Sequence, residues 1–220
     1  MVFLVAGVIM GTVTVASAIT LCFSNLEDSK IAFNGSTDTF SFTHATDSHD
    51  FKITAEDPTG GGTIGFVGDI TGTFNIGTIK TDGSLQTAAV TGSGTFSIID
   101  NANPGQMFTA SIDWKTIYTY KTSGGLNDDG VINLSNLPTP ISYDGTNSYL
   151  LALKNNGGTA VGGFSFIPAK SLTQLTQNGA NNSTSYSGTL SFVPLPSSLL
   201  LIGSGLVGLG LLRFRRKNRA

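Results

Sequence analysis

Alternation of apolar and polar residues runs through short segments of this sequence and leaves few architectures open. Residues 108–115 place apolar side chains at every even position and polar ones between them. Successive side chains of an extended strand point to opposite faces, so this pattern predicts a half-buried β-strand. Five further segments share two large apolar residues around a small polar one: Thr39-Phe40-Ser41-Phe42, Thr73-Phe74-Asn75-Ile76, Thr95-Phe96-Ser97-Ile98, Gly163-Phe164-Ser165-Phe166 and Thr189-Leu190-Ser191-Phe192.

The apolar residues of these segments predict the core. Residues two apart on a strand share a face, so each pair points the same way. We expect these side chains to face inward: Phe40, Phe42, Phe74, Ile76, Phe96, Ile98, Ile112, Phe164, Phe166 and Phe192. The irregular spacing of the segments excludes a solenoid repeat.

Turn residues separate the alternating segments. Asp82-Gly83, Asp129-Gly130 and Asp144-Gly145 favour tight hairpin turns, because Asp and Gly tolerate a positive φ. Many short strands with such turns predict an all-β fold, and we expect a single β-sandwich domain of the jelly-roll or immunoglobulin-like type. Only Ala169–Gln177 suggests a short helix, and the polar segment Gln174–Ser187 suggests a flexible stalk before the last strand.

Charge excludes one class of function. Residues 1–212 contain seven lysines, no arginine and all 14 acidic residues of the 220-residue chain. A nucleic-acid-binding protein needs a basic face that neutralises phosphates, and this part of the chain is acidic. The single cysteine, Cys22, cannot form an internal disulfide, so the core must stabilise the domain.

The first 18 residues predict an export signal. An apolar run from Val2 to Val15 precedes Ala16-Ser17-Ala18, a small-x-small pattern that favours cleavage between Ala18 and Ile19. The start lacks the positive charge usual in such signals, and the alternative interpretation is a buried strand. Lipidation at Cys22 is not favoured, because no small residue directly precedes it.

The last 27 residues, 194–220, predict a membrane segment. Eighteen residues from Ser197 to Phe214 are mostly apolar, enough for a helix to cross the roughly 30 Å core of a bilayer. The prolines before them block the helix from starting earlier. By the positive-inside rule, the basic cluster that follows stays cytoplasmic and the preceding domain lies outside.

These C-terminal features resemble the sorting signal of PEP-CTERM proteins, here with Leu195 between the two prolines. The resemblance rests on a proline motif, glycine and serine in the membrane helix, and a basic tail: Pro194, Leu195, Pro196, Gly203, Ser204, Gly205, Arg213, Arg215, Arg216, Lys217 and Arg219. It implies recognition by an exosortase in the inner membrane, then transfer to the cell surface or exopolysaccharide matrix. We therefore divide the chain into a signal peptide (1–18), a β-sandwich domain (19–193) and a sorting signal (194–220).

Candidate sites for metals are weak in the sequence. His44 and His49 lie five residues apart, on opposite faces if extended, so a metal site would need a turn that joins them to Asp47 or Asp50. A polar loop between the strands at Phe40 and Phe51 explains the same residues and is the favoured interpretation. Residues 126–136 resemble part of a calcium loop but lack acids at its first and last positions. We predict no metal and no cofactor.

No catalytic signature is present in the sequence, so we expect a non-enzymatic exported surface or matrix protein. Two alternatives remain: a carbohydrate-binding module that uses Trp114, Tyr118 and Tyr120, or a surface protein that keeps its membrane anchor. These three aromatic residues share even positions with the core residues of 108–112, so we expect Trp114 to lie in the core.

Overall fold

The computed structural model describes residues 18–44, 49–101, 103, 105–127, 134–135 and 140–192. Strands dominate this part of the chain, which confirms the mainly β fold. The strands are β1 (Ile19–Asn25), β2 (Lys30–Asn34), β3 (Thr39–Thr43), β4 (Phe51–Asp57), β5 (Val67–Thr71), β6 (Thr73–Ile76), β7 (Lys80–Asp82), β8 (Leu85–Thr91), β9 (Gly94–Ile99), β10 (Met107–Ile112), β11 (Thr116–Tyr120), β12 (Ser123–Leu126), β13 (Leu134–Ser135), β14 (Thr159–Ser165), β15 (Asn181–Thr184) and β16 (Tyr186–Phe192). The helices are α1 (Ser148–Asn156) and α2 (Leu172–Leu175).

The strands pair antiparallel in one continuous order, β13-β10-β9-β5-β4-β1-β16-β14-β12-β11-β8-β6-β3-β2-β15, with β7 beside β8. Rings from distant places in this order nevertheless touch. Phe42 of β3 lies 4.9 Å from Tyr186 of β16, and Phe33 of β2 lies 5.3 Å from Phe164 of β14, measured between ring centroids. The sheet therefore curls back over itself, and the finer prediction of a two-sheet sandwich is not confirmed.

The core is the aromatic interior of this curled sheet. All ten side chains predicted to face inward are at least nine-tenths buried. Phe51 stacks on Phe96 at 5.1 Å, and Phe40 stacks on Phe74 at 5.2 Å. Burial of apolar area contributes on the order of 25 cal/mol per Å², so the burial of these large rings stabilises the domain.

The even-position rule fails after Trp114. Trp114 is 1% exposed, as expected, but on β11 Ile117 and Thr119 point inward while Tyr118 and Tyr120 point outward. The cause is the break between β10 and β11 at residues 113–115. The buried Asn127 fixes the position at which β11 begins, because its side-chain oxygen accepts hydrogen bonds from the backbone N–H groups of Lys115 (2.6 Å) and Thr116 (3.1 Å).

Two expectations about helices and the stalk need correction. The predicted helix shrinks to α2, whose capping box joins Ser171 and Gln174. The predicted stalk 174–187 contains strand β15, which pairs with β2 over Asn181↔Asn34 to Thr184↔Ile31. Polar residues suit this strand because it lies at the end of the strand order, where water can reach its side chains.

Helix α1 was not predicted. Its N-cap Asn147 accepts hydrogen bonds from the N–H groups of Tyr149 (3.0 Å) and Leu150 (3.2 Å). No helix within the described ranges is long and apolar enough to cross a membrane. The predicted membrane segment 197–214 and the signal segment before Ala18 lie outside those ranges.

Both ends of the domain lie on neighbouring strands. Ile19, the predicted first residue after signal cleavage, begins β1 and pairs with Phe192, the last residue of β16. Ala18 just before it is exposed. The chain thus enters and leaves the sheet at one place.

Candidate functional site

The predicted sorting residues lie directly after the last strand. Strand β16 ends at Phe192, and residues 193–220, from the proline motif to the basic tail, lie outside the described residues. Phe192 itself is 5% exposed and packs in the core. The described β domain therefore ends one residue before Val193 and two before Pro194.

The three aromatic residues considered for sugar binding separate into one core residue and two outward residues. Trp114 is buried beside Phe42, with ring centroids 6.1 Å apart. Tyr118 lies against Gly125 of the adjacent strand, where a Cβ would come within 2.6 Å of its ring. Tyr120 is 45% exposed, and the ammonium of Lys121 lies 5.1 Å from its ring centroid. Only the outward face of β11 presents aromatic rings to solvent among these candidates.

A cluster of histidine and aspartate side chains forms where three strands meet. His44 follows β3, Asp50 precedes β4, and Asp69 lies within β5. Strand β4 pairs with β5 through Phe51↔Gly68, so one step further Asp50 stands opposite Asp69. The ligand atoms of His44, Asp50 and Asp69 all lie within 4.8 Å of one another. The site considered from the sequence needed His44 and His49 together with Asp47 or Asp50. The structure instead groups His44 with Asp50 and Asp69, while His49 contacts Asp69 and residues 45–48 lie outside the described residues.

Each carboxylate of this cluster has one oxygen held by the backbone. Asp50 Oδ2 accepts a hydrogen bond from the Ile70 N–H at 2.8 Å, and Asp69 Oδ1 accepts one from the Asp50 N–H at 3.2 Å. These bonds fix the two carboxylates on the sheet. Their second oxygens, Asp50 Oδ1 and Asp69 Oδ2, face the histidines.

The histidines contact these second oxygens. His44 Nδ1 lies 2.8 Å from Asp50 Oδ1, and His49 Nδ1 lies 3.2 Å from both oxygens of Asp69. The side chain of Asp50 is fully buried, whereas that of His44 is half exposed. His44 Nδ1 is therefore the close polar partner of the buried oxygen Asp50 Oδ1.

The electrostatics of the cluster are those of crowded negative charge. Burial raises the pKa of Asp50, and the charge of Asp69 adds to this effect; the Ile70 N–H and His44 act in the opposite direction. Burial also raises the pKa of Tyr186, whose hydroxyl donates to the Asp50 carbonyl oxygen at 3.3 Å, and the charges of both aspartates add to the shift. His44 and His49 are the basic side chains that contact these two carboxylates.

A second polar cluster has a structural role. Burial would raise the pKa of Glu56, but four hydrogen bonds from the 60–63 loop outweigh it and lower this pKa to about 2. Oε1 accepts from the N–H groups of Gly60 (2.8 Å) and Gly62 (3.1 Å), and Oε2 accepts from the N–H (2.9 Å) and hydroxyl (2.6 Å) of Thr63. Both carboxylate oxygens of Glu56 therefore accept hydrogen bonds from the loop, and this side chain fixes the loop in place.

Sequence reasoning missed Asp69 as a member of the His-Asp cluster. Asp69 is separated from Asp50 by 19 residues and is placed beside it only by the pairing of β4 with β5. The one local signal was an acidic residue in the middle of the short strand Val67–Thr71, which by itself is ordinary. Of the calcium-loop candidates, Leu126 and Asn127 are buried parts of the fold, and 128–133 lie outside the described residues.

Comparison with known proteins gives one match. The family model of the PEP-CTERM protein-sorting motif matches residues 192–217. No curated protein and no solved structure matches the chain.

Proposed function

We propose that this chain, which carries a PEP-CTERM sorting motif, is an exosortase-sorted, non-enzymatic protein of the cell surface or exopolysaccharide matrix. The observation that carries this proposal is the match of the motif to residues 192–217. That motif implies export and processing by an exosortase at the membrane. The stretch includes the proline motif, the apolar segment and most of the basic tail on which the sequence interpretation rested.

The position of the motif supports this function. The matched residues begin at Phe192, where the last strand ends. Removal of the chain beyond Pro196 would take away no described strand and no residue of the aromatic core. The domain can therefore leave the membrane with its fold intact.

The character of the domain supports a non-enzymatic role. Two titratable groups with large pKa shifts serve the fold: Glu56 holds a loop, and the hydroxyl of Tyr143 donates to Asp100 at 2.8 Å. Burial and then this bond to Asp100 raise the pKa of Tyr143 to about 12. Perturbed groups with such structural partners need no catalytic explanation.

The test is the Pro196→Ala variant expressed in a host that has an exosortase. Exosortase recognition through this proline predicts full-length protein retained in the inner membrane and loss from the extracellular fraction. Pro140→Ala is the matched control, because Pro140 is an exposed proline before α1, and its release should equal that of the parent protein. Unchanged release of Pro196→Ala would contradict recognition through the motif.

The mass of the mature protein distinguishes exosortase processing from a permanent membrane anchor. Processing predicts that mature protein from the host lacks the basic cluster from Arg213 to Arg219. Intact mass spectrometry measures this directly, and a mature chain that retains the cluster would support the anchored alternative.

Carbohydrate binding is the second candidate, favoured by the outward aromatic face of β11. Flat rings on a sheet can stack on sugar faces, and Tyr118 and Tyr120 lie two residues apart on this face. Tyr120→Ala should weaken retention on immobilised host exopolysaccharide, whereas Met107→Ala, at 46% exposure on β10, should not. Equal retention of both variants and the parent protein would rule out this face.

A further inference from the structure

The His-Asp cluster has a donor arrangement that suits one metal ion. Once the backbone has taken Asp50 Oδ2 and Asp69 Oδ1, the remaining ligand atoms are Asp50 Oδ1, Asp69 Oδ2 and an imidazole nitrogen of His44. Three protein ligands with water at the open positions are a common set for zinc in proteins. The hard cation Ca²⁺ prefers six to eight oxygens, which this site does not offer.

The spacing is within reach of a single ion. Zinc–ligand distances are about 2.0–2.2 Å, so two ligands of a tetrahedral zinc ion are about 3.3–3.6 Å apart. The ligand atoms here lie within 4.8 Å of one another. Rotation of the half-exposed His44 side chain can close the difference, because this residue lies just after β3 and is not packed in the core.

The burial of Asp50 supplies a further reason for a bound cation. Asp50 Oδ1 is inaccessible to solvent, and its close polar contact is His44 Nδ1 at 2.8 Å on a half-exposed imidazole. A buried carboxylate is costly unless positive charge is placed beside it. In addition, two carboxylates placed opposite each other on paired strands repel. A bound dication would relieve both costs at once.

We propose that His44, Asp50 and Asp69 bind a divalent transition-metal ion of the zinc type. The mixed imidazole and carboxylate donors select borderline ions such as Zn²⁺ or Co²⁺ over Ca²⁺ and Mg²⁺. Two carboxylates and a neutral imidazole leave the occupied site without net charge. The ion would link the end of β3 to the neighbouring strands β4 and β5, from which β3 is far apart in the strand order.

His49 is a positioning residue in this site. Its Nδ1 lies 3.2 Å from each oxygen of Asp69, at the distance of a hydrogen bond. Partners of this kind orient metal-binding side chains, and their loss typically reduces affinity 10- to 100-fold.

The experiment titrates ZnCl₂ into the untagged full chain, purified in detergent, and follows the heat of binding. We expect one zinc ion per chain, and affinity at least about tenfold weaker in the His44→Ala and Asp69→Asn variants. His44 is half exposed, so its replacement should leave the fold intact, which circular dichroism checks. Asp82→Asn, an exposed aspartate of β7, is the matched control with unchanged affinity.

Co²⁺ provides a readout that a structural role of the side chains cannot imitate. Co²⁺ bound through imidazole and carboxylate gives visible absorption bands, which should appear in the parent chain and disappear in His44→Ala. Absence of saturable zinc binding would overturn the proposal. So would equal zinc affinity of the parent and His44→Ala chains, which is the result expected if Cys22 or detergent took up the metal.

Discussion

Replacement of Glu56 by glutamine tests how much one buried carboxylate stabilises this domain. Glu56 is 8% exposed and accepts four hydrogen bonds, which lower its pKa from 4.5 to about 2. One pKa unit corresponds to about 1.4 kcal/mol, so the ionised form contributes about 3 kcal/mol at neutral pH. Glutamine keeps one acceptor oxygen but presents an NH₂ group to donors, so most of this energy should be lost.

The loop held by Glu56 also supports α1, so the loss should reach beyond the loop. The hydroxyl of Tyr149 donates to the carbonyl oxygen of Pro58 at 2.6 Å. The side-chain NH₂ group of Asn147 donates to the carbonyl oxygen of Gly61 at 2.7 Å. The assay is urea unfolding of a chain truncated to residues 19–193, followed by near-UV circular dichroism. Glu27→Gln, at the other glutamate, is the control, because Glu27 is exposed in a turn.

The stability contributed by Glu56 should depend on pH in one direction. A carboxyl with a lowered folded-state pKa stabilises the protein above its unfolded value of 4.5, and this contribution disappears as pH falls from there through about 2. The stability difference between the parent and Glu56→Gln chains should therefore be about 3 kcal/mol at pH 7 and shrink toward pH 2. Other carboxyl groups titrate in both chains and cancel. A difference below about 1 kcal/mol at pH 7, or one independent of pH, would refute the reasoning.

Three further predictions concern the core and the ends of the domain. Phe96→Ala should cost about 3–5 kcal/mol in urea unfolding, because Phe96 is fully buried against Phe51, whereas Ile64→Ala, at 58% exposure, should change stability by less than about 0.5 kcal/mol. The chain of residues 19–193 should be soluble and of monomer size by gel filtration, with a circular dichroism spectrum dominated by β structure; partition into membranes would contradict it. Protein secreted by the host should begin at Ile19 in N-terminal sequencing, and a start at Met1 would contradict export-signal cleavage.

Faces of strands were predictable because they depend on neighbours in sequence. The pair Phe40 and Phe42 is inward for the same local reason as Phe164 and Phe166, and burial confirms all four. The rule held only while the strand continued. At residues 113–115 a break, fixed by the distant Asn127, reversed the facing of Tyr118.

Strand order and the His-Asp cluster were not predictable, because both depend on contacts far apart in the chain. Polar residues 181–184 read as a stalk, yet they pair with β2, almost 150 residues earlier. Asp69 joins Asp50 only through the β4–β5 pairing, which no local spacing encodes. The sorting residues differ, since a linear signal is recognised as a sequence and needs no fold to be read.

The place of β16 in the sheet sets when this protein can finish folding. The last strand to be synthesised lies between β1 and β14, where it pairs on both sides. Until residues 186–192 arrive, both neighbours keep an open edge and the aromatic interior lacks Tyr186, Leu190 and Phe192. Such late, long-range closure slows folding, because the entropy of closing a long loop must be overcome before these contacts form. The strand that closes the interior is also the strand that leads into the matched sorting motif.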